Sequence, residues 1–234
     1  MKIPQHTVII PDGNRRWAKA KGRPKYFGHK AGAEAAKEIL KTAMELKIPH
    51  LTLWTSSVSN LTKRSPAEVK FLFTIFGDYF EKLLNSMELD EHKVRIRALG
   101  KWEEMLPEKA KKPLRELIEK TKNYDKHHMT FLIAYSGIDE MASAIEEIAK
   151  LKAQNAKLKI DEKFIKANLW TKDLPPVDLV IRTGGEPHWS AGMMMWDVAE
   201  SQLYFTKTLW PDFKPDEFKK ALAYYAQTER RHGA

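Results

Sequence analysis

Thr7-Val8-Ile9-Ile10-Pro11-Asp12-Gly13-Asn14-Arg15-Arg16-Trp17 begins with a short apolar run that four turn-forming residues then halt. Residues 7–10 read as a buried strand, and Pro11, Asp12, Gly13 and Asn14 as the loop that leaves it. Outward from this point the pattern repeats. Helical spacing of Ala35, Ala36, Ile39, Leu40, Ala43 and Leu46 predicts a helix from about residue 30, and Leu51-Thr52-Leu53-Trp54 a second strand. Ser65-Pro66-Ala67-Glu68 has the cap, first-turn proline and third-position acid of a helix start. Further strands are expected at 94–99, 129–134, 178–181 and 202–205, with helical stretches to about 122, over 139–151 and over 215–227. Alternating strands and helices with nearly all-apolar strands imply an α/β fold, a mostly parallel sheet of about six strands flanked by helices. In such a sheet ligands bind beyond the strands' carboxyl ends, here the loops after Ile10, Trp54, Ala134 and Ile181.

Composition narrows the chemistry. The 234 residues and 43% hydrophobic content suit one domain over 1–234 with a real core, and no internal repeat or low-complexity block divides the chain. The absence of cysteine excludes a disulfide scaffold, a thiolate zinc site, an iron–sulfur cluster and a Cys nucleophile. No run approaches the ~20 apolar residues of a membrane helix, and the N-terminal apolar stretch is too short for a signal peptide, so a cytoplasmic protein is expected. A formal charge of +9 admits nucleic acid, an anionic membrane surface or a small polyanion as partner. Basic residues interleave with acids, as at Lys37 and Glu38 or Arg115 and Glu119, which suggests solvated helix faces instead of a basic tail. His127-His128 lacks a carboxylate at metal-site spacing, and Met193-Met194-Met195 reads as core packing. The run 108–112 reads as an exposed helix face, and 150–163 as an exposed connection.

Two loops carry the chemistry. After the first strand come one carboxylate, a glycine and several cations, continuing through Arg23 and Lys25 to Gly28-His29-Lys30-Ala31-Gly32. Such a set can cradle a polyphosphate, although Asp-Gly-Asn is also an ordinary turn. Arg182-Thr183-Gly184-Gly185-Glu186 repeats the theme, a cation at a strand's end followed by flexible backbone. Together they could hold two phosphorylated substrates side by side. Ser56, Ser57, Ser59 and Asn60 lie between them in the chain as neutral hydrogen-bonding groups, and Asn60 also suits a backbone cap. No triad spacing is present.

The stretches 6–19, 27–32 and 178–186, with Leu203-Tyr204-Phe205 and Trp210-Pro211-Asp212-Phe213, resemble the cis-prenyltransferases, the undecaprenyl diphosphate synthase family, in the archaeal-type PDGNRRW variant. The likeness spans residues 6–233. It implies a homodimer with a hydrophobic tunnel that condenses isopentenyl diphosphate onto an allylic diphosphate, farnesyl or geranylgeranyl, giving a Z double bond. It further implies Mg²⁺ at Asp12, with Gln202 at the second metal position. Gly13, Asn14, Arg15, Arg16, Trp17, Lys25 and His29 would surround the allylic diphosphate. Arg182, His188 and Ser190 would hold isopentenyl diphosphate, Asn60 would lie near proton removal, and Arg231 and Gly233 would reach the partner subunit's site. The apolar helix at 67–84 reads either as core or as tunnel wall. A long polyprenyl product implies peripheral membrane contact.

The departures from the family pattern cluster. After Glu186 the chain is one residue longer than usual, His188 replaces an Arg and Gln202 a metal-linked Glu. Lys25 stands for an Arg, Ser59 for a Glu, and Ala134-Tyr135-Ser136-Gly137-Ile138 for Tyr-Gly-Gly-Arg. Lys for Arg keeps a charge and loses the fork. Three readings follow: an active synthase with a re-tuned isopentenyl site, including one with a short or non-standard product; an accessory or weakly active subunit; or a nucleic-acid binder. Retention of Asp12, Arg16, His29, Asn60, Arg182 and Arg231-His232-Gly233 favours the enzyme, and nucleic-acid binding leaves Asp12 unexplained.

Overall fold

The computed structural model describes residues 2–228. The amino-terminal half runs β1 (His6–Ile10), α1 (Asn14–Ala20), α2 (Lys25–Glu45), β2 (His50–Trp54), α3 (Val58–Lys63), α4 (Pro66–Leu84), α5 (Met87–Glu91) and β3 (Val94–Leu99). It continues through α6 (Trp102–Met105), α7 (Glu108–Thr121), β4 (His127–Leu132), α8 (Gly137–Gln154) and α9 (Glu162–Ala167). β5 (Leu179–Arg182), β6 (Gln202–Phe205), a 3₁₀ turn (Trp210–Asp212) and α10 (Pro215–Gln227) follow.

All six strands form one sheet in the order β3-β4-β2-β1-β5-β6, every pair parallel. The central strands β1 and β5 are covered on both faces, which explains their apolar runs, whereas the edge strands β3 and β6 are only partly buried. On one face Ile9, Leu53, Ile96, Phe131 and Ile181 pack under α2, α4, α7 and α10. On the other, Val8, Ile10, Leu132 and Val180 meet Tyr135, Met193 and Met194. The two leading methionines are fully buried, so that triplet does pack the core.

The chain leaves β1 towards β2 on one side and returns to β5 on the other. Neighbouring connections therefore diverge between β1 and β5, opening a crevice at their carboxyl ends. The loops expected to carry the chemistry face this crevice.

Several local expectations shift. Residues 14–20 are helical, and α2 starts at Lys25, five residues ahead of the apolar periodicity, because Gly28 and Gly32 act as packing surfaces and not as breakers. A Cβ on Gly28 would lie 1.9 Å from the Asn14 carbonyl oxygen, and one on Gly32 2.3 Å from Asn14 Oδ1. The stretch read as a connection is partly helical at both ends, with α8 reaching Gln154 and α9 starting at Glu162. The basic residues are less evenly mixed than the interleaved pairs suggested: residues 14–33 hold seven Lys and Arg and no acid.

Candidate active site

β1 and β5 pair Ile10 with Arg182, so the loops after both strands start level. Thr183 locks them together. Its hydroxyl donates to the Asp12 carbonyl at 2.8 Å and accepts from the Asp12 N–H at 2.9 Å. Gly13 leaves Asp12 with φ of 109°, where a side chain would be strained and would also strike Leu209. Gly184 and Gly185 donate to the carbonyls of Thr208 and Thr206, so this loop is pinned where the sequence suggested free backbone.

The Asp12 carboxylate, one-third exposed, lies between two guanidinium groups, with Arg182 at 2.9 Å and Arg16 at 3.1 Å. Arg182 is nearly buried and spreads its fork further, donating to Ser190 Oγ at 2.6 Å and the His188 carbonyl at 2.7 Å. Its Nε is buried without a partner among the described residues. The His188 ring is more than half exposed and lies 3.1 Å from Ser190 Oγ. Arg16 also reaches Glu186, at 3.4 Å.

A second centre went unread in the sequence. Glu68, read there only as a capping residue, has a side chain 7% exposed and is ringed by three cations and a histidine. His29 Nε2 lies at 3.2 Å, Arg64 at 3.5 Å, Lys25 at 3.8 Å and Arg15 at 3.9 Å. Burial alone would raise its carboxyl, but the His29 hydrogen bond and the charges of Arg64 and Arg15 outweigh that and hold it below its ordinary value. Burial lowers His29 in turn, and the Glu68 bond offsets only part of the effect. Arg64 stands in the extended junction between α3 and α4, four residues before Glu68 in the first turn of α4, so no helical spacing signalled the pair.

These groups border a cleft of about 660 Å³ lined by Asp12, Gly13, Asn14, Arg15, Arg16, Lys25, His29 and Arg64 among others. An adjoining recess is bordered by Asp12, Ser57, Ser59, Asn60, Arg182 and Ser190. Asn60 does cap: its Oδ1 accepts from the Ser57 N–H while Ser57 Oγ accepts from the Asn60 N–H. Below lies an apolar cavity of about 80 Å³ between α2 and α4, walled by His29, Ala33, Ala36, Leu72 and Ile75 and floored by Phe76, Tyr79, Phe80 and Phe131. The helix read as core or tunnel wall buries Leu72, Phe76 and Phe80, and together with Ile75 they line this cavity.

Two expected residues fall elsewhere. The Trp17 indole N–H donates to Asp212 at 2.8 Å, so its ring does not line the cleft. Gln202 pairs with Leu179 and thus stands level with Thr7, three registers and about 10 Å below the strand ends. Asp12 and Gln202 of one chain therefore do not share a metal. Arg231 and Gly233 lie outside the described residues.

Mg²⁺ tests well against what remains. It favours hard oxygens, keeps waters, and at phosphate sites takes one or two protein ligands with the rest from substrate. Asp12 supplies a partly exposed carboxylate on the cleft, and Asn14 Oδ1, packed against Gly32, is buried with no partner among the described residues.

A family model described as undecaprenyl diphosphate synthase matches residues 10–233. An isoprenyl transferase of Thermotoga maritima is 41% identical, the match covering all of this chain and 98% of that protein. A geranylgeranyl-diphosphate-specific tritrans,polycis-undecaprenyl-diphosphate synthase of Thermococcus kodakarensis is 35% identical across 99% of this chain and 87% of its own. Lavandulyl diphosphate synthase from Lavandula x intermedia, crystallised with dimethylallyl diphosphate, superposes with a TM-score of 0.89 at 31% identity, covering 99% and 98% of the two chains. Matches of this extent, on a crevice built from two cationic loops above an apolar cavity, place the chain in the undecaprenyl diphosphate synthase family of prenyltransferases.

Proposed function

We propose that the chain elongates an allylic diphosphate, farnesyl or geranylgeranyl, by condensing it with isopentenyl diphosphate to a Z-prenyl diphosphate, as a Mg²⁺-dependent homodimer. The observation that carries this reading is the Asp12 carboxylate held between Arg16 and Arg182 above an apolar cavity. Arg15, Lys25, His29 and Arg64 hold the allylic diphosphate, its charge replacing Glu68 as their counter-ion. Arg182 and Ser190 hold isopentenyl diphosphate. Mg²⁺, held by Asp12 with Asn14 beside it, would supply Lewis-acid neutralisation of the departing diphosphate.

In the condensation the terminal alkene carbon of isopentenyl diphosphate bonds to the allylic carbon as its C–O bond breaks, and a proton is then lost to leave the new double bond. The fixed cations stabilise charge growing on the leaving group, and the apolar wall shelters the positive allyl fragment from water. Asn60, an amide, orients at this step and takes no proton. Support for pairing comes from exposed Ile138 and Ile145 on α8 and exposed Leu203 and Phe205 on the edge strand β6. Arg231 and Gly233 would complete the partner's site.

One observation favours a short product: Phe76, Tyr79, Phe80 and Phe131 close the cavity in edge-on and tilted ring contacts of 5.4–6.2 Å. The test is transfer of labelled isopentenyl diphosphate to farnesyl and geranylgeranyl diphosphate with Mg²⁺ or chelator. Asp12→Ala is expected to cost at least about 10²–10³-fold in turnover. Product length decides between short and long chains. Absence of transfer from either primer would leave the accessory-subunit reading.

A further inference from the structure

We propose that the exposed segment Lys21-Gly22-Arg23-Pro24-Lys25-Tyr26-Phe27, together with Phe71 of α4, docks the protein on an anionic lipid bilayer. All seven residues of the segment are exposed, with Tyr26 at 44% and Phe27 at 36%. Their rings stack at 4.6 Å, and Tyr26 also meets Phe71 at 5.2 Å. This leaves an aromatic ledge facing solvent, which water disfavours and the headgroup boundary of a bilayer accommodates.

Charge selects the kind of surface. The ledge sits in the part of the chain with seven Lys and Arg and no acid, residues 14–33, and exposed Lys70 directly precedes Phe71 on α4. The Arg23 guanidinium lies over Phe27 at 5.3 Å, and Lys21 over Trp17 at 4.6 Å. Two acids beside these cations are already paired, Glu68 with Arg15, Lys25 and Arg64 and Asp12 with Arg16 and Arg182. Excess positive charge around aromatic side chains complements anionic headgroups. Diphosphate binding accounts for Lys25 but for neither exposed ring.

Position gives docking a use. Tyr26 and Phe71 bridge α2 and α4, the helices whose facing sides wall the apolar cavity, so the ledge lies on the seam through which a prenyl tail would leave. That use rests on the proposed activity; the docking itself does not.

The experiment is co-sedimentation of the substrate-free protein with vesicles of phosphatidylcholine and phosphatidylglycerol in equal parts, and with phosphatidylcholine alone. The protein is expected to pellet with the mixed vesicles, less at high salt, and weakly with the neutral ones. Tyr26→Ser/Phe27→Ser is expected to lower partitioning about tenfold or more, with thermal midpoint and transfer activity in detergent unchanged. Ile138→Ser/Ile145→Ser, on α8, is expected to bind as the parent does. Parent protein remaining in the supernatant, or a Tyr26/Phe27 variant that pellets equally well, overturns the proposal. Binding without any prenyl transfer sustains docking and counts only against the catalytic reading.

Discussion

Arg182 engages three acceptors with one planar group: the carboxylate of Asp12, the hydroxyl of Ser190 and the carbonyl of His188. A guanidinium can do this because its donors point in fixed, divergent directions, whereas an ammonium on a flexible stem is a point charge. Arg182→Lys keeps the charge and loses the geometry. Its expected effect is a rise of about tenfold or more in KM for isopentenyl diphosphate, with a much smaller change for the allylic primer; steady-state kinetics with each substrate varied in turn checks the split. An equal rise for both would place Arg182 between the two diphosphates. Glu68 illustrates the converse case, a buried carboxylate kept charged by its neighbours, and it in turn compensates Arg15, Lys25 and Arg64.

At the scale of elements, the site depends on how closely α1 approaches α2. Gly28 and Gly32 lie one turn apart on α2 and leave room for the backbone and side chain of Asn14, which brings the start of α1, with Arg15 and Arg16, over the cleft. A single added methyl group tests this. Gly28→Ala would place a carbon 1.9 Å from a carbonyl oxygen, and backbone has little freedom to move away. A loss of about 1–3 kcal/mol of stability is expected, outweighing the usual helix gain of Ala over Gly, and denaturant unfolding measures it. The same shift should weaken the allylic site, since Asn14 and Arg15 line it.

Over the whole molecule, the two ends of the sheet have different chemistry. Anion-binding groups gather at the carboxyl end, while His6, His50 and His128 form a row across three adjacent strands near the amino end. His50 and His128 stack at 4.4 Å. Burial lowers His6 from 6.5 to about 4, and burial with repulsion from His128 and His6 lowers His50 to about 3. A depressed histidine means that below 6.5 the unfolded chain binds protons the folded chain refuses. Stability is therefore complete above about 6.5 and falls with pH down to the folded values. The fully buried His6 should contribute a loss of about 1.4 kcal/mol per pH unit from 6.5 to 4. Chemical denaturation across this range, on the parent and His6→Gln, measures that slope, which the variant should reduce. An unchanged slope would assign the acid sensitivity to other groups.

Periodicity and apolar runs in the sequence determined the α/β class, the six strands and a mostly parallel sheet, because the central strands, buried on both faces, must be largely apolar. The motif around Asp12 and the one around Arg182 were legible for a related reason: turn formers and cations directly after a buried strand have few other uses. Tertiary structure alone decided what those loops meet. Strand order brought Asp12 to Arg182 across 170 residues, and no local pattern encodes which strands become neighbours. It also gathered three cations and His29 around Glu68, made helix contacts of Gly28 and Gly32, and turned Trp17 towards Asp212. Gln202 shows the same limit from the other side. Its place in the motif suggested a metal position, but parallel pairing puts it at the amino end of β6, where both amide atoms are buried without partners. Which end of a strand a residue occupies is fixed by strand register, and register is set by contacts between residues far apart in the chain.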